Sequence, residues 1–201
     1  YQDDPANRFY QPVGERTPLG IGETNPAAQE SHIFYDHYSE ANQEDSYYLF
    51  VEKASDPLGN SLHVEEFDYR VLQARAMRDI NLNYSKVAFD IHGMVVATAV
   101  MGKGNEGDEL VAFAEYNCDP FTDQFETILK NPSRHLGRAT SWFYYDIFAW
   151  QRHKQPAYAI GLSRDTHYYQ NGENSDVQIA ATYSDGSVSY THLRAHETVV
   201  H

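Results

Sequence analysis

Over much of the chain apolar and polar positions alternate with a period of two, the mark of strands with one packed face. Val87 and Phe89 alternate with Lys86, Ala88 and Asp90, and Val177, Ile179, Ala181 and Tyr183 alternate through residues 177–184. Ile91-His92-Gly93 reads as a three-residue turn with glycine at the left-handed position, which makes 86–101 a hairpin. Its return arm, Met94 to Met101, is apolar at nearly every position and predicts a strand covered on both faces. Further strands are expected over 47–53, 139–147 and 157–162. The period changes in one place: Leu110 and Phe113, then Phe121, Phe125, Ile128 and Leu129, lie at helical spacing. Asp119-Pro120 supplies a start and Asn131-Pro132 a stop, so a short helical insertion is expected near 108–131. Residues 1–33, punctuated by Pro5, Pro12, Pro18 and Pro26, read as a loop-rich lead-in.

The strands are separated by turns of one design. Asp56-Pro57-Leu58-Gly59-Asn60 is a type I turn: Asp56 caps it, Pro57 presets φ, and Gly59 takes the left-handed conformation that lets the next strand leave. A strand then ends in Phe67-Asp68-Tyr69. The design repeats from Asp79-Ile80-Asn81-Leu82-Asn83 to Phe89-Asp90, followed by Gly93. The pairs Phe67-Asp68 and Phe89-Asp90 stand 22 residues apart, and a period near 20 marks a repeat architecture. Tyr35-Asp36 and Tyr145-Asp146 supply further aromatic–Asp pairs, and Thr17-Pro18-Leu19-Gly20 a degenerate turn. A lone hairpin is marginal in water, so such units bury their faces against neighbours. The residues expected to carry the repeat are Asp56, Pro57, Gly59, Asn60, Phe67, Asp68, Tyr69, Asp79, Asn83, Phe89, Asp90, Gly93, Tyr145 and Asp146.

Composition narrows the partners. A net charge of −14 argues against nucleic acid or an anionic membrane, and no apolar run reaches membrane-spanning length. The single cysteine excludes an internal disulfide framework. Sixteen tyrosines suit pleated faces on which the ring packs and the hydroxyl stays wet.

Three stretches in order then carry a family resemblance: Asp68-Tyr69-Arg70-Val71-Leu72-Gln73, Val87-Ala88-Phe89-Asp90, and Gly93 to Lys103. Leu136 to Thr140, Tyr145-Asp146, Gln155-Pro156, Leu162 to His167 and Tyr183 to Gly186 continue it. Over 34–186 the chain resembles the Rhs (YD-repeat) region of insecticidal toxin-complex B-component proteins. It departs at Asp79 to Asn83, where the family favours an Asp-Pro-Asn-Gly-Asn turn, and at Gln73-Ala74, where the family has Gln-Pro. The resemblance implies a mainly β fold in which YD-repeat hairpins form part of a spiralling β-sheet shell. It also implies a structural role without catalytic residues, cofactor or metal, in a secreted assembly. The implied partners are a C-component (Rhs) subunit with its encapsulated toxic effector, and a pore-forming A component that delivers it. Direct membrane insertion by this segment is not implied. Residues 187–201 stand apart, because Val188 to Thr198 (VSYTHLRAHET) looks like translated sequencing adapter. That reading removes His192, His196 and His201 from the functional inventory.

Other chemistry has a plainer explanation at each point. Asp79, Asn81, Asn83, Ser85 and Asp90 resemble a calcium loop, but Tyr84 stands where its glycine belongs. Cys118 lacks a placed histidine for a nucleophile, and His167 reads as a structural residue at a strand end. Glu65-Glu66 and Glu106 to Glu109 read as solvated acids rather than a glycosidase pair. Trp142, Tyr144-Tyr145 and Tyr168-Tyr169 could stack sugars, which leaves a carbohydrate- or cell-surface-binding β module as the alternative function.

Overall fold

The computed structural model describes residues 11–16, 30–36, 48–103, 106–110 and 124–184, together with the backbone strand at 191–195. It is mainly β, and it divides into two compact units, 1–83 and 84–201. The degenerate turn at 17–20, the loop at 39–46, Cys118 and the helix start at Asp119-Pro120 lie outside the described residues.

In the first unit, β1 (Gly14–Arg16), β2 (Glu30–Tyr35), β3 (Val51–Ser55), β4 (Ser61–Asp68) and β5 (Gln73–Arg78) pair in order as an antiparallel meander. Its described core is thin: Tyr35, Tyr48, Val64 and Ala76 are buried. Most of the remaining side chains on its faces are half-buried, as a single layer of hairpins allows. The expected strand at 47–53 begins later, at Val51, because Tyr48 adopts a positive φ of 53° and residues 48–50 bend.

The second unit is built on β6 (Tyr84–Phe89), β7 (Val95–Met101), β8 (Ser141–Asp146), β9 (Ala157–Arg164), β10 (Val177–Ser184) and β11 (Thr191–Ala195). Each pairs antiparallel with the next. The alternation read from the sequence places one face inward. Trp142, Tyr144 and Asp146 on β8 stand opposite Leu162, Ile160 and Tyr158 on β9, and all six are buried. Trp142 stacks on Tyr144 at 6.4 Å, Tyr144 meets Tyr158 at 6.1 Å, and Tyr158 meets Tyr183 at 5.9 Å. The tyrosine excess therefore includes a row of rings running across three strands. The return arm of the first hairpin is covered less evenly than its composition suggests, since Val96, Ala97 and Ala99 are buried whereas Val100 is exposed.

Helix α1 (Phe125–Lys130) and helix α2 (Pro132–Leu136) bring Ile128 and Leu136 into this core, with Phe125 packed against it. Phe125 meets the ring of Tyr158 edge-on at 5.5 Å. The helical insertion thus exists, with two corrections to its bounds. Residues 108–110 are not helical, because the backbone of Asp108 and Glu109 bonds to Val100 and Arg138 instead. Pro132 does not end the segment: lacking an N–H, it opens the second helix at its first turn, where no intrahelical partner is required. Short helices α3 (Ala149–His153) and α4 (Tyr168–Asn171), absent from the sequence reading, connect β8 to β9 and β9 to β10. No helix among the described residues is long and apolar enough to cross a membrane.

Strand β11 falls within the stretch read as adapter-like, and its backbone pairs with β10 from Ala180↔Ala195 to Ser184↔Thr191.

Candidate functional site

The candidate site is a set of aspartate-centred turns. At Asp56, one carboxylate oxygen accepts the backbone N–H groups of Leu58 and Asn60, both at 2.9 Å. The other accepts the Asn60 side-chain amide at 2.8 Å. The main chain closes the loop, with Gly59 N–H donating to the Asp56 carbonyl and Asp56 N–H to the Asn60 carbonyl. Gly59, at a φ of +85°, supplies the left-handed step. Pro57 stands second in this turn, and its ring fixes the φ that the turn needs.

Asp79 builds the same object. Asn81 and Asn83 N–H donate to Oδ1 at 2.8 Å each, and the Asn83 amide to Oδ2 at 3.0 Å. Leu82 occupies the glycine position with a φ of 65°. The carboxylate oxygens are thus engaged by their own turn, which accounts for the calcium-like spacing without a cation. Asp90 is a third copy: His92 and Met94 N–H donate to Oδ1 at 2.8 and 2.9 Å, and Gly93 has a φ of 80°. Asp68 is a fourth with an extra residue. Arg70 supplies both its N–H and its guanidinium, at 3.0 and 2.7 Å, and Leu72 takes the positive φ. Sequence reasoning divided these four aspartates into turn starters and strand enders. The structure gives them one role, at intervals of 12, 11 and 11 residues.

Asp36 and Asp146 adapt the device to other connections. Buried Asp36 accepts the N–H groups of Leu49 and Phe50, 13 and 14 residues further on, at 2.9 and 3.2 Å. Buried Asp146 accepts Phe148 N–H at 3.1 Å and pairs with Arg152 of α3. Burial, reinforced by the Asp146 charge, pushes the Tyr144 hydroxyl up to about 12.

The aromatic partners differ more than their sequence positions imply. Phe89 is buried, whereas Phe67 is half-buried and stacks on Phe50 at 4.9 Å. Tyr69, which is exposed, meets Phe50 edge-on at 5.4 Å. Tyr145 is half-buried and donates its hydroxyl to the Val95 carbonyl at 2.7 Å. Strand register shifts at Phe34/Tyr35, around Glu66/Phe67 and at Ala88/Phe89, each beside an aromatic–Asp pair. Such a bulge re-aims the side chains that follow it, and in each case the aspartate follows directly. No feature of the sequence announces the bulges.

One acid of the 106–109 stretch is not solvated as expected, because other segments close over it. Asp108, completely buried at its side chain, accepts Thr140 Oγ1 at 2.5 Å and Tyr168 N–H at 2.6 Å. Its Oδ2 lies 3.0 Å from His167 Nδ1, and its Oδ1 lies 3.6 Å from Arg164 Nε. Arg164, itself 4% exposed at the side chain, also donates to the Ala139 and Gly137 carbonyls. His167 is therefore a half-exposed member of a structural hub that joins a loop, the entry to β8, the end of β9 and α4. The weighed acids have cationic neighbours too: Glu65 pairs with Arg78 at 2.9 Å, Glu66 with Arg75 at 3.8 Å, and Glu109 with Arg138 at 2.9 Å.

Two turn carboxyls carry a pH signature. The Asn60 amide and then backbone N–H groups hold Asp56 below the usual carboxylate range, and Arg70 does the same for Asp68. A carboxyl lowered by folding adds stability above its unfolded value, about 4, and loses it as pH falls through the folded value. The stability gap between wild type and Asp68→Asn is therefore expected to be widest near pH 7 and to close below about pH 4. Urea midpoints at pH 7, 5 and 3 check this, and a gap that widens in acid would reverse the assignment.

Leu82 gives a second test. A left-handed non-glycine residue costs roughly 1–2 kcal/mol, part of which glycine returns as unfolded-chain entropy. Leu82→Gly is expected to raise unfolding free energy by up to about 1 kcal/mol, read as a higher denaturant midpoint; a fall would mean that the Leu82 side chain contributes more through contact than its backbone costs.

With the geometry in place, the chain can be compared with known proteins. No protein-family model matches the sequence, and comparison with curated proteins returns no match. Solved structures do match. A crystal structure of TcdB2-TccC3 superposes with a TM-score of 0.57 at 18% identity, covering 78% of this chain and 7% of that one. The structure titled TcdB2-TccC3-Cdc42 gives 0.53 at 14% identity, and TcdB2-TccC3-TEV gives 0.52 at 13%, each over 78% of this chain and 9% of the other. The likeness is one of fold, to a β-rich segment of the TcdB2-TccC3 structures. The chain spans less than a tenth of the length of these neighbours.

Proposed function

We propose that the chain is a structural segment of a toxin-complex B component, a stretch of YD-repeat shell that encloses a cytotoxic polypeptide. The observation that carries this reading is the recurrence of one aspartate turn at 56, 68, 79 and 90 in a fold shared with Tc toxin B–C complexes. Each turn closes its own backbone and leaves the strand faces to be covered by neighbours, which suits a wall better than a reaction centre. In this reading the partners are a C-component subunit with its enclosed effector and a pore-forming A component that delivers it. The assembly is secreted, and the segment acts without catalysis.

The test is to sequence the source locus outward from the codons for Tyr1 and Gly186. The expected result is a long reading frame with further aromatic–Asp turns at the same intervals and without VSYTHLRAHET. The full-length product should then co-purify with a co-expressed C component. A start codon at Tyr1 and a stop directly after His201 would overturn the proposal, and so would a full-length product that never retains a C component.

A further inference from the structure

Within the first unit, two copies of the aspartate turn flank a cleft of about 410 Å³ lined in part by Gly59, Asn60, Ser61, Ile80 and Leu82. Lys53, His63 and Arg78 line it as well, with Glu52 and Asp79. The volume lies in the range of small-ligand sites, roughly 300–1,000 Å³. Two features leave the cleft open. Gly59 has no side chain, and nothing stands within 4 Å of where its Cβ would be. On the other wall Leu82, left-handed at a φ of 65°, is more than half exposed.

The lining chemistry is mixed. Asn60, Ser61 and His63 bring donors and acceptors and Arg78 further donors, while half-exposed Ile80 and Leu82 give one apolar lip. This combination matches a saccharide ring, whose hydroxyls need both kinds of partner and whose C–H face needs an apolar surface. The charges refine the ligand. Glu52 lies 3.8 Å from His63 Nε2, Glu65 lies 2.9 Å from Arg78 and 3.2 Å from His63 Nδ1, and the Asp79 oxygens accept three N–H donors of their own turn. Lys53 differs: among the described residues its ammonium has no carboxylate in ion-pair range and stands 5.4 Å over the Phe34 ring. One such cation in a chain of net charge −14 suits a single carboxylate and not a polyphosphate, which Glu52 and Asp79 would repel.

We infer that this cleft binds an acidic saccharide, with its carboxylate on Lys53, its hydroxyls on Asn60, Ser61 and His63, and its apolar face against Ile80 and Leu82. The site stands independently of the shell reading, since a wall segment and a free-standing module could each present it.

The test is titration of the full chain, labelled with ¹⁵N, with glucuronate, glucose and acetate as separate probes. Glucuronate should saturate at millimolar concentration and shift amides in 59–63 and 78–82. Glucose should bind more weakly at the same amides, and acetate should not saturate. Lys53→Gln is expected to weaken glucuronate roughly tenfold, the scale of one charge-assisted hydrogen bond, and to leave glucose unchanged. No localised shift with any probe overturns the site. Equal affinity for glucuronate and glucose, or for glucuronate and acetate, overturns the ligand class. Retention of the wild-type shifts in unliganded Lys53→Gln shows that the variant is folded.

Discussion

Replacing Asp108 with alanine is expected to lower the unfolding free energy by about 3–5 kcal/mol, the cost of leaving a buried partner charge uncompensated. The carboxylate is fully buried and serves Thr140, Tyr168 and His167 as well as Arg164. Its loss strands a guanidinium that is 4% exposed. Arg164→Ala should cost a similar amount. The double variant should cost clearly less than the two single losses added, because the two residues share one network. His167→Ala should cost much less, since that ring is nearly half exposed and water can take its place. Trp142 and Trp150 both belong to the 84–201 unit, so tryptophan fluorescence in urea reads the unit concerned. A loss below about 1 kcal/mol for Asp108→Ala, the range of an exposed pair, would show that the carboxylate does not organise these four segments.

The second large effect separates two residues that the sequence treats as equivalents. From the repeat alone, Phe67→Ala and Phe89→Ala would each be expected to cost about 3 kcal/mol or more if buried. The structure keeps that figure for Phe89, which is 6% exposed, and predicts about 3–5 kcal/mol. Phe67 is only half-buried, and its clearest contact is the stack on Phe50. Its truncation should cost roughly 1–2 kcal/mol, a ring pair plus partial burial. Urea unfolding of each variant checks the pair, with circular dichroism for Phe67, whose unit contains no tryptophan. Equal losses would mean that the two aromatic–Asp pairs are packed alike after all.

Much of the fold was legible because strands and turns here obey local rules. Strand β10 was expected at 177–184 and lies at Val177–Ser184, since strict alternation and turn residues at both ends leave little freedom. The turns at Asp56 and Asp90 were legible from glycine in the left-handed position. The turn at Asp79 was legible only by analogy, because Leu82 holds a conformation that its type disfavours. What stayed hidden depends on contacts distant in sequence. Asp108 meets partners 32 and 60 residues away, and no pattern around it distinguishes it from a solvated acid. Helices α3 and α4 are five and four residues long, too short for a helical period to show. The bulges beside Tyr35, Phe67 and Phe89 depend on pairing register, which alternation alone does not set.

Because the turns at 56, 79 and 90 bond inward on themselves, each hairpin carries its own finished ends. A tandem duplication or deletion of 22 or 23 residues would therefore change the sheet by one complete hairpin and leave no turn half-made. Such a chain can lengthen or shorten in whole hairpins.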